Sequence, residues 1–424
     1  MSFSKTLETA FSDILNTELM TAMGCTEPIA IAYCASRVRS LLNKEPERYV
    51  IHCSGNIIKN VKAVVVPQTG GLKGIEAAAV AGVTANAPER LLEVISGLTD
   101  EDRKSIRTVL RSVPITVRPL DSGHALHIIV ELFAGQDHVL AEVIDTHTGI
   151  GRLEKNGELL HEAARAEVVR IKEGYQRLNV RDILDYADAC DLNGVRTVLQ
   201  RQIDCNRAVS EEGLRHVYGA GIGPALMKQA GNSLRERCKA AAAAGSDARM
   251  NGCAYPVVIN SGSGNQGITV SVPILLRAEE LGCSQEKLLR ALCVGNLIAI
   301  RQKVGIGKLS AFCGATCAAI GAVCGIAYLD GADYDRISNT IINSLATIGG
   351  MVCDGAKSSC AGKIAAALDC AFTAYETAKQ GRRYLDGEGL VKADVERTID
   401  NVARMASVGM HGTDLEILDI MLEK

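Results

Sequence analysis

The sequence predicts an α+β protein made of N-terminal helices, an α/β layer, and a large all-helical domain rich in Ala and Gly. Three stretches of the chain lead to this prediction. Residues 1–45 carry helical periodicity, residues 46–157 contain short β-rich runs, and residues 158–424 are almost entirely helical in period. The 424 residues include no Trp, five Phe and 41 Gly. Small aliphatic side chains on closely packed backbones therefore have to fill the cores.

Two helices are predicted in the N-terminal segment, over residues 5–22 and 28–42, and we expect both to pack on the helical domain. Cys25, Thr26 and Pro28 lie in the break between them. Thr is a common N-cap residue and Pro is favoured in the first helical turn, so Thr26 should cap the second helix and Pro28 should open it. Cys25 would then lie at a helix N-terminus.

Turns and helical stretches separate the β-rich runs of the α/β layer, with helices expected over 75–85 and 100–111. The predicted strands are Tyr49–Cys53, Val61–Val66, Ile115–Val117, Leu126–Leu132 and Val139–Ile144. Segments that contain Gly predict loops in the helical domain at 245–252, 261–267, 305–307 and 349–355. No low-complexity linker is visible, so we expect the two halves to pack closely.

One segment, Leu309–Leu329, has 21 residues without a charge, which is long enough to span a bilayer. Its many Ala and Gly residues and the lack of a second such span favour a buried core helix instead. The 46 basic and 49 acidic residues are spread without long runs, which argues against a nucleic-acid partner. The first 20 residues lack the layout of a secretory signal. We therefore expect a cytoplasmic protein with no membrane partner, in which the 15 Cys are not a disulfide framework.

Several cysteines of the helical domain are spaced for a shared site. Cys313, Cys317 and Cys324 follow an i, i+4, i+11 spacing that puts them on one helix face, and Cys353 and Cys360 flank a polar loop. One face and one loop can supply three thiolates to a single site. The absence of a CxxC pair argues against a zinc ribbon or a thioredoxin-like redox pair. The alternative is that these cysteines are packed as small hydrophobic residues.

Other motifs suggest ligands without defining one. The loop 262–267 formally matches GxGxxG, but the residues after it are helical in period, which argues against a dinucleotide site. Such a loop can equally bind a carboxylate through backbone N–H groups and Ser and Asn side chains, and a plain turn is the alternative. The segment 305–310 fails the P-loop pattern. Lys59 is a conceivable Schiff-base lysine for pyridoxal phosphate, and His147 is a possible acid or base. An exposed edge lysine and a structural histidine are the alternatives for these two residues.

Four segments together resemble the L-cysteine desulfidase family, which is related to the iron–sulfur L-serine dehydratases. They are Gly-Cys-Thr-Glu-Pro at 24–28, Ser-Gly-Asn-Ile-Ile-Lys-Asn at 54–60, Asn-Ser-Gly-Ser-Gly-Asn-Gln-Gly at 260–267, and the set of Cys313, Cys353 and Cys360. The resemblance runs over nearly the whole chain. It departs from the serine dehydratases in the residues around Cys313, which argues against serine as the main substrate.

The resemblance implies a 4Fe-4S cluster held by Cys313, Cys353 and Cys360 with one iron open, and it implies Cys25 as a catalytic base. Unpaired N–H groups at the start of a helix would lower the pKa of that thiol. The implied reaction is the α,β-elimination of L-cysteine to pyruvate, ammonia and sulfide, in a protein that is expected to be a homo-oligomer. The residues expected to bind the amino-acid substrate are Ser54, Asn56, Lys59, Ser261, Ser263 and Asn265, with His147 as a second acid/base candidate.

Three alternatives stay open at this point. The same cluster mechanism could serve L-serine dehydration. A pyridoxal or nicotinamide enzyme would need Lys59 or the loop 262–267 as its cofactor site. A cysteine-binding or redox-sensing protein would hold iron but turn over neither amino acid.

Overall fold

The computed structural model describes residues 4–163 and 174–423. These residues form a six-stranded mixed sheet, a small two-stranded sheet and a large assembly of helices, so the predicted α+β fold class is confirmed. Within this part of the chain, no helix combines the length and the apolar content needed to cross a membrane.

The larger sheet has the strand order β3-β2-β4-β5-β6-β7. Strands β2 and β3 are parallel, and all the other neighbours in it are antiparallel. Its strands are β2 (Arg48–Ser54), β3 (Ile115–Leu120), β4 (His127–Ala134), β5 (Asp137–Ile144), β6 (Ile150–Lys155) and β7 (Glu158–Glu162). Side chains alternate across the sheet, and those of Ile128, Val130 and Leu132 on β4 are fully buried on one face. Helix α2 packs on this face.

The second sheet adds a short strand to residues 158–424, which are predicted to be almost entirely helical. Strand β8 (Pro256–Val258) lies within that range and pairs antiparallel with β1 (Thr21–Met23). The first helix accordingly ends at Glu18, before the predicted limit of residue 22. The physical reason is that Val257 and Val258 are β-branched residues in an apolar run, and pairing with β1 buries both completely.

Helices make up most of the remaining structure. The first five are α1 (Lys5–Glu18), α2 (Thr26–Leu42), α3 (Gly55–Val61), α4 (Ile75–Ala85) and α5 (Asp100–Ser112). They are followed by α6 (Val180–Ala189), α7 (Arg196–Arg215), α8 (Ile222–Ala230), α9 (Leu234–Met250), α10 (Gly264–Leu281) and α11 (Gln285–Ile306). The last five are α12 (Gly314–Leu329), α13 (Tyr334–Ile348), α14 (Cys360–Lys379), α15 (Val395–Arg404) and α16 (His411–Leu422). The predicted helices over 75–85 and 100–111 are confirmed, and α12 is a buried core helix as expected.

The two N-terminal helices pack in different places. Phe11 and Leu15 of α1 belong to the apolar core of the helical part, whereas α2 belongs to the core that lies under the six-stranded sheet. Helix α2 thus shares a core with the sheet, and that core also includes residues of the helical part such as Val209 and Ile268. This helix is buried along most of its length, and it fills the space between α4 and strands β4 and β5.

Two further predictions fail locally. The run Val61–Val66 is not a strand, because residues 55–61 form α3 and the chain then turns. Val61, Val64 and Val66 are all buried, and buried apolar residues in a short helix and turn resemble a strand in sequence. The predicted loop at 245–252 is helical up to Met250, because Gly245 permits close packing against Ile268 and does not end the helix.

Candidate active site

A small cavity lies where the chain near α2 and α3 meets the helical part. The thiols of Cys25, Cys313, Cys353 and Cys360 all line it. Its volume is about 90 Å³, well below the roughly 300 Å³ at which pockets for drug-sized ligands begin. The cavity therefore suits a small substrate, and it brings together four cysteines that are up to 335 residues apart in sequence.

Four helices begin at this cavity. Helices α2, α10, α12 and α14 start at Thr26, Gly264, Gly314 and Cys360, and no cap residue of these helices makes a side-chain cap hydrogen bond. Cys25 and Cys313 are themselves N-cap residues, and Cys360 is the first residue of its helix. Because the first N–H groups of a helix lack partners within it, the cavity wall is electropositive.

A short backbone bridge holds two of the cysteines side by side. The Cys313 N–H donates to the Met351 carbonyl at 2.8 Å, and the Cys353 N–H donates to the Ala311 carbonyl at 2.7 Å. Gly355 then takes a φ of +95° close to the backbone of α3, where an added Cβ would lie 2.6 Å from the Lys59 carbonyl oxygen. The loop that carries Cys353 is thereby held against the 54–60 segment.

The charges and hydrogen bonds around the cavity cysteines favour a thiolate at Cys353. The pKa of Cys353 is lowered to about 6, because the Cys313 thiol donates a hydrogen bond to it. The ammonium groups of Lys59 and Lys303 act in the same direction, while burial opposes them. The same hydrogen bond, together with burial, raises the pKa of Cys313 well above its ordinary value. Burial also raises the pKa of Cys360.

The donor set fits the cluster that the sequence implies. Iron–sulfur clusters are held by cysteine thiolates, and here three cysteines face one electropositive cavity. Within residues 4–163 and 174–423, no three His, Cys, Asp or Glu side chains are arranged around a single metal position.

Cys25 is placed by a network that the sequence analysis did not foresee. Its Sγ donates to Glu27 Oε2 at 3.0 Å, and Asn60 Nδ2 donates to Glu27 Oε1 at 3.1 Å. Thr26 does not cap α2: its hydroxyl donates to the Gly262 carbonyl at 2.8 Å and so ties α2 to the loop at 261–263. Asn60, the last residue of the 54–60 motif, thus helps to position the Glu27 carboxylate beside Cys25.

The expected lowering of the Cys25 pKa is wrong. Its pKa is raised well above the ordinary value, first by complete burial and then by the Glu27 carboxylate, while Arg249 opposes the rise only in part. Removal of a charge from water outweighs the helix N-terminus here. Cys25 is therefore a thiol whose proton points to a carboxylate.

The remaining predicted site residues divide between the cavity and its surroundings. Ser263 and Asn265 line the cavity, whereas Ser261 is buried behind it with its hydroxyl bonded to Asn260 Oδ1. Ser54, Asn56 and Lys59 line a neighbouring cavity of about 260 Å³, where Lys59 forms an ion pair with Asp414. Of these three, Lys59 alone acts on the cysteine cavity, through its charge.

His147 is buried outside the cysteine cavity, under the loop at 261–263. An added Cβ on Gly262 would lie 2.9 Å from His147 Cε1, so ring and loop are in close contact. Burial lowers the pKa of His147 to about 4. The ring is therefore neutral near pH 7, and its Nε2 has no hydrogen-bond partner among the described residues.

The sequence analysis missed several polar residues of the cavity, among them Glu27, Arg249, Gln266 and Lys303. Glu27 and Gln266 lie inside motifs already singled out, so their positions beside Cys25 and Asn265 are a signal that could have found them. Arg249 and Lys303 lie within regular helices and carry no local signal. Only the packing of α9 and α11 brings them to the cavity.

With the cavity defined, residues 89–419 match the serine dehydratase alpha chain family, and this range includes Cys313, Cys353 and Cys360. The chain belongs to that family. Membership implies a lyase, and the family is typically associated with an iron–sulfur cofactor.

Full-length relatives carry names that give no activity. The chain is 47% identical to a UPF0597 protein of Lachnoclostridium phytofermentans, with 97% of this chain and 98% of the relative covered. It is 46% identical to a UPF0597 protein of Desulfitobacterium hafniense (98% and 96% covered) and 43% identical to one of Treponema denticola (100% of both).

Proposed function

We propose that this protein is an iron–sulfur-dependent lyase that converts L-cysteine to pyruvate, ammonia and sulfide by α,β-elimination. The observation that carries the proposal is the single cavity that joins Cys313, Cys353 and Cys360 to Cys25. Three cysteines would hold a 4Fe-4S cluster, and Cys25 supplies a separate acid/base group within the same small space. Membership in the serine dehydratase family supports the reaction class.

The cluster would be held by Cys313, Cys353 and Cys360, and when bound it would supply an open iron that acts as a Lewis acid on the leaving group. The chain's own contribution is to balance charge. The helix N-termini stabilise the thiolates, and the ammonium of Lys303 lies near Cys313 and Cys353. These same groups favour the departure of an anionic sulfur.

Proton removal from Cα is assigned to Cys25 with the help of Glu27. The thiol proton passes to Glu27 Oε2, to which it is already hydrogen-bonded, and the thiolate then takes the Cα proton. The electron pair of the Cα–H bond forms the Cα–Cβ double bond, and the Cβ–S pair leaves with sulfur. The resulting aminoacrylate hydrolyses to pyruvate and ammonia.

Ser263 and Asn265 are proposed substrate-binding residues, since their side chains line the cavity. Ser54, Asn56 and Lys59 are proposed to act on the substrate as it passes through the neighbouring cavity, because the two cavities share Leu309 and Ser310 on their walls. Ser261 and His147 support the loop that carries Ser263.

The second candidate function is L-serine dehydration by the same steps with hydroxide in place of sulfide, and the family match favours it. The test is to compare kcat/KM for L-cysteine and L-serine under argon with anaerobically reconstituted protein. We expect the value for L-cysteine to be higher, because iron is thiophilic. A higher kcat/KM for L-serine would overturn L-cysteine as the main substrate and leave the proposed mechanism intact. No turnover of either amino acid would overturn both the substrate and the mechanism.

A further inference from the structure

The cysteine cavity contains buried polar groups that no other part of the described chain satisfies. Arg249 is 3% exposed and Gln266 is 4% exposed. Among the described residues no carboxylate pairs with the Arg249 guanidinium, whose Nε donates to the Gly24 carbonyl at 2.8 Å. In the same part of the chain, Gln266 Oε1 and Asn265 Oδ1 have no hydrogen-bond donor. Each such group costs free energy when buried, unless a ligand provides its partner.

The guanidinium lies at the start of a helix. An added Cβ on Gly264 would lie 2.3 Å from Arg249 Nε and 2.8 Å from its Cζ, so Arg249 packs directly against the first residue of α10. The unpaired N–H groups of that first turn and the guanidinium thus face the same space, next to Cys25. A carboxylate is the ligand that both groups recognise.

A second buried cation lies toward the cluster cysteines. Lys303 is 5% exposed and has no side-chain hydrogen bond or ion pair among the described residues. Burial lowers the pKa of Lys303, and electrostatic interaction with the sulfurs of Cys317, Cys353 and Cys313 opposes that shift. The charge of Lys303 therefore serves the thiolates. Lys308, which also lines the cavity, forms an ion pair with Glu18 at 3.1 Å. Of the three cationic side chains that the described residues place on the cavity wall, Arg249 is thus the one available to a substrate carboxylate.

We infer that the cavity recognises the zwitterion of a small α-amino acid, with Arg249 and the N-terminus of α10 binding the carboxylate and the side-chain carbonyls of Gln266 and Asn265 accepting hydrogen bonds from the ammonium. The orientation rests on the proposed function. It presents Cα to Cys25 and directs the β-substituent toward Cys313, Cys353 and Cys360.

Binding of L-alanine tests this inference, because L-alanine is a zwitterion without a leaving group. Calorimetry with anaerobic, cluster-loaded protein should show that L-alanine binds, and that propionate and ethylamine, which each lack one charge, bind at least about 10-fold more weakly. Arg249→Gln should weaken L-alanine binding by about 10- to 100-fold and abolish the preference over ethylamine. Gln266→Leu should reduce the preference over propionate.

Arg235→Gln is the matched control, because Arg235 lies on the same helix and forms its ion pair with Asp369, outside the cavity. It should bind L-alanine as the wild type does. If Arg249→Gln fails to fold, Gly264→Ala replaces it, since the added methyl displaces the guanidinium without removing its charge. Gly264→Ala should then show the same loss of L-alanine binding.

The inference is overturned if the wild type does not bind L-alanine, if propionate binds as tightly, or if the Arg249 and Gly264 variants bind normally. Its failure is distinct from failure of the proposed function. Protein that binds L-alanine through Arg249 but eliminates neither cysteine nor serine would support the zwitterion site alone. Elimination with an unchanged KM in Arg249→Gln would support the reaction alone.

Discussion

The backbone holds each of the three proposed cluster ligands in a different way. Cys313 is the N-cap residue of α12, Cys353 follows the backbone bridge between Phe312 and Val352, and Cys360 is the first residue of α14. Replacement of any one by Ser should abolish the cluster, because a hydroxyl is a poor substitute for a soft thiolate. Iron and acid-labile sulfide per chain, measured after anaerobic reconstitution, check this prediction.

Cys324→Ala is the matched control for these variants, because Cys324 is fully buried on the helix that Cys313 caps and does not line the cavity. We expect it to retain iron. Cys317 is likewise expected to pack near the cluster without binding iron. Loss of iron in Cys317→Ser together with its retention in Cys353→Ser would contradict the ligand assignment.

Cys25→Ala should keep its iron content and lose turnover by about two to four orders of magnitude, the usual value of a general base. Exchange of the Cα hydrogen with deuterated solvent, followed by NMR, should disappear as well. Cys34→Ala is the control, since Cys34 is an equally buried cysteine of the same helix whose thiol bonds to the Ala141 carbonyl. Undiminished exchange in Cys25→Ala would exclude this residue as the base.

The Cys25 environment shows why residue types predict a site better than they predict its titration. The motif at 24–28 correctly put a cysteine at a helix start. Its pKa depends on burial and on where the Glu27 carboxylate points, and both result from packing against residues far away in the chain. A helix N-terminus lowers the pKa of a thiol by less than full desolvation of the thiolate raises it.

At the scale of elements, α2 is positioned by a close crossing with α4. An added Cβ on Gly82 of α4 would lie 2.0 Å from the Ala32 carbonyl oxygen of α2, so these two helices touch through their backbones. Gly82→Ala should lower the free energy of unfolding by at least about 1 to 3 kcal/mol, because the backbones have to separate. Denaturant unfolding measures the change.

The control for Gly82→Ala is Gly412→Ala in α16, where no atom lies within 4 Å of the added Cβ. There the unfolding free energy should stay the same or rise by up to about 1 kcal/mol, since Ala favours helix. Equal changes in unfolding free energy for the two substitutions would show that α2 and α4 do not touch through their backbones.

The element that the sequence misjudged most is the 54–60 segment. The predicted strands Tyr49–Cys53 and Val61–Val66 leave this segment as the connection between them, but residues 55–61 form the short helix α3. From there Asn60 reaches Glu27, and the backbone of Lys59 supports Gly355. A seven-residue segment has too little periodicity to separate a helix from a strand.

At the scale of the whole molecule, the cavity lies at the junction between the sheet-bearing part and the helical part, and His147 is a buried contact across that junction. Its ring follows strand β5 and lies under Gly262. The neutral ring is favoured in the folded protein by burial and by the nearby Lys308 and Arg249, against the opposing Glu27 and Glu18 carboxylates.

This environment predicts a loss of stability in acid. The folded-state pKa of His147 is about 4, and an unfolded histidine titrates near 6.5, so the unfolded chain binds the proton first. The contribution of His147 is complete above about pH 6.5 and is lost as the pH falls toward 4. It amounts to about 3 kcal/mol of unfolding free energy.

Denaturant unfolding between pH 4 and 8 tests this prediction. His147→Gln should unfold with a smaller dependence on pH than the wild type, whereas His161→Gln, at an exposed position of β7, should keep the wild-type dependence. The same slope in all three proteins would show that His147 does not titrate on unfolding.

The α+β class, the helices over 75–85 and 100–111, and the buried helix after Cys313 result from composition and local periodicity, which act over a few residues. The types of residue in the site also stood out locally, since the Cys, Gly-rich and 24–28 motifs all contribute to one cavity. Contacts between residues that are distant in sequence decided the features that local patterns did not predict. Pairing with β1 made a strand of residues 256–258, burial beside Glu27 raised the Cys25 pKa, and the packing of regular helices brought Arg249 and Lys303 to the cavity. The sequence around a side chain on a regular helix does not indicate what that side chain contacts, because the contact depends on how whole helices and sheets pack.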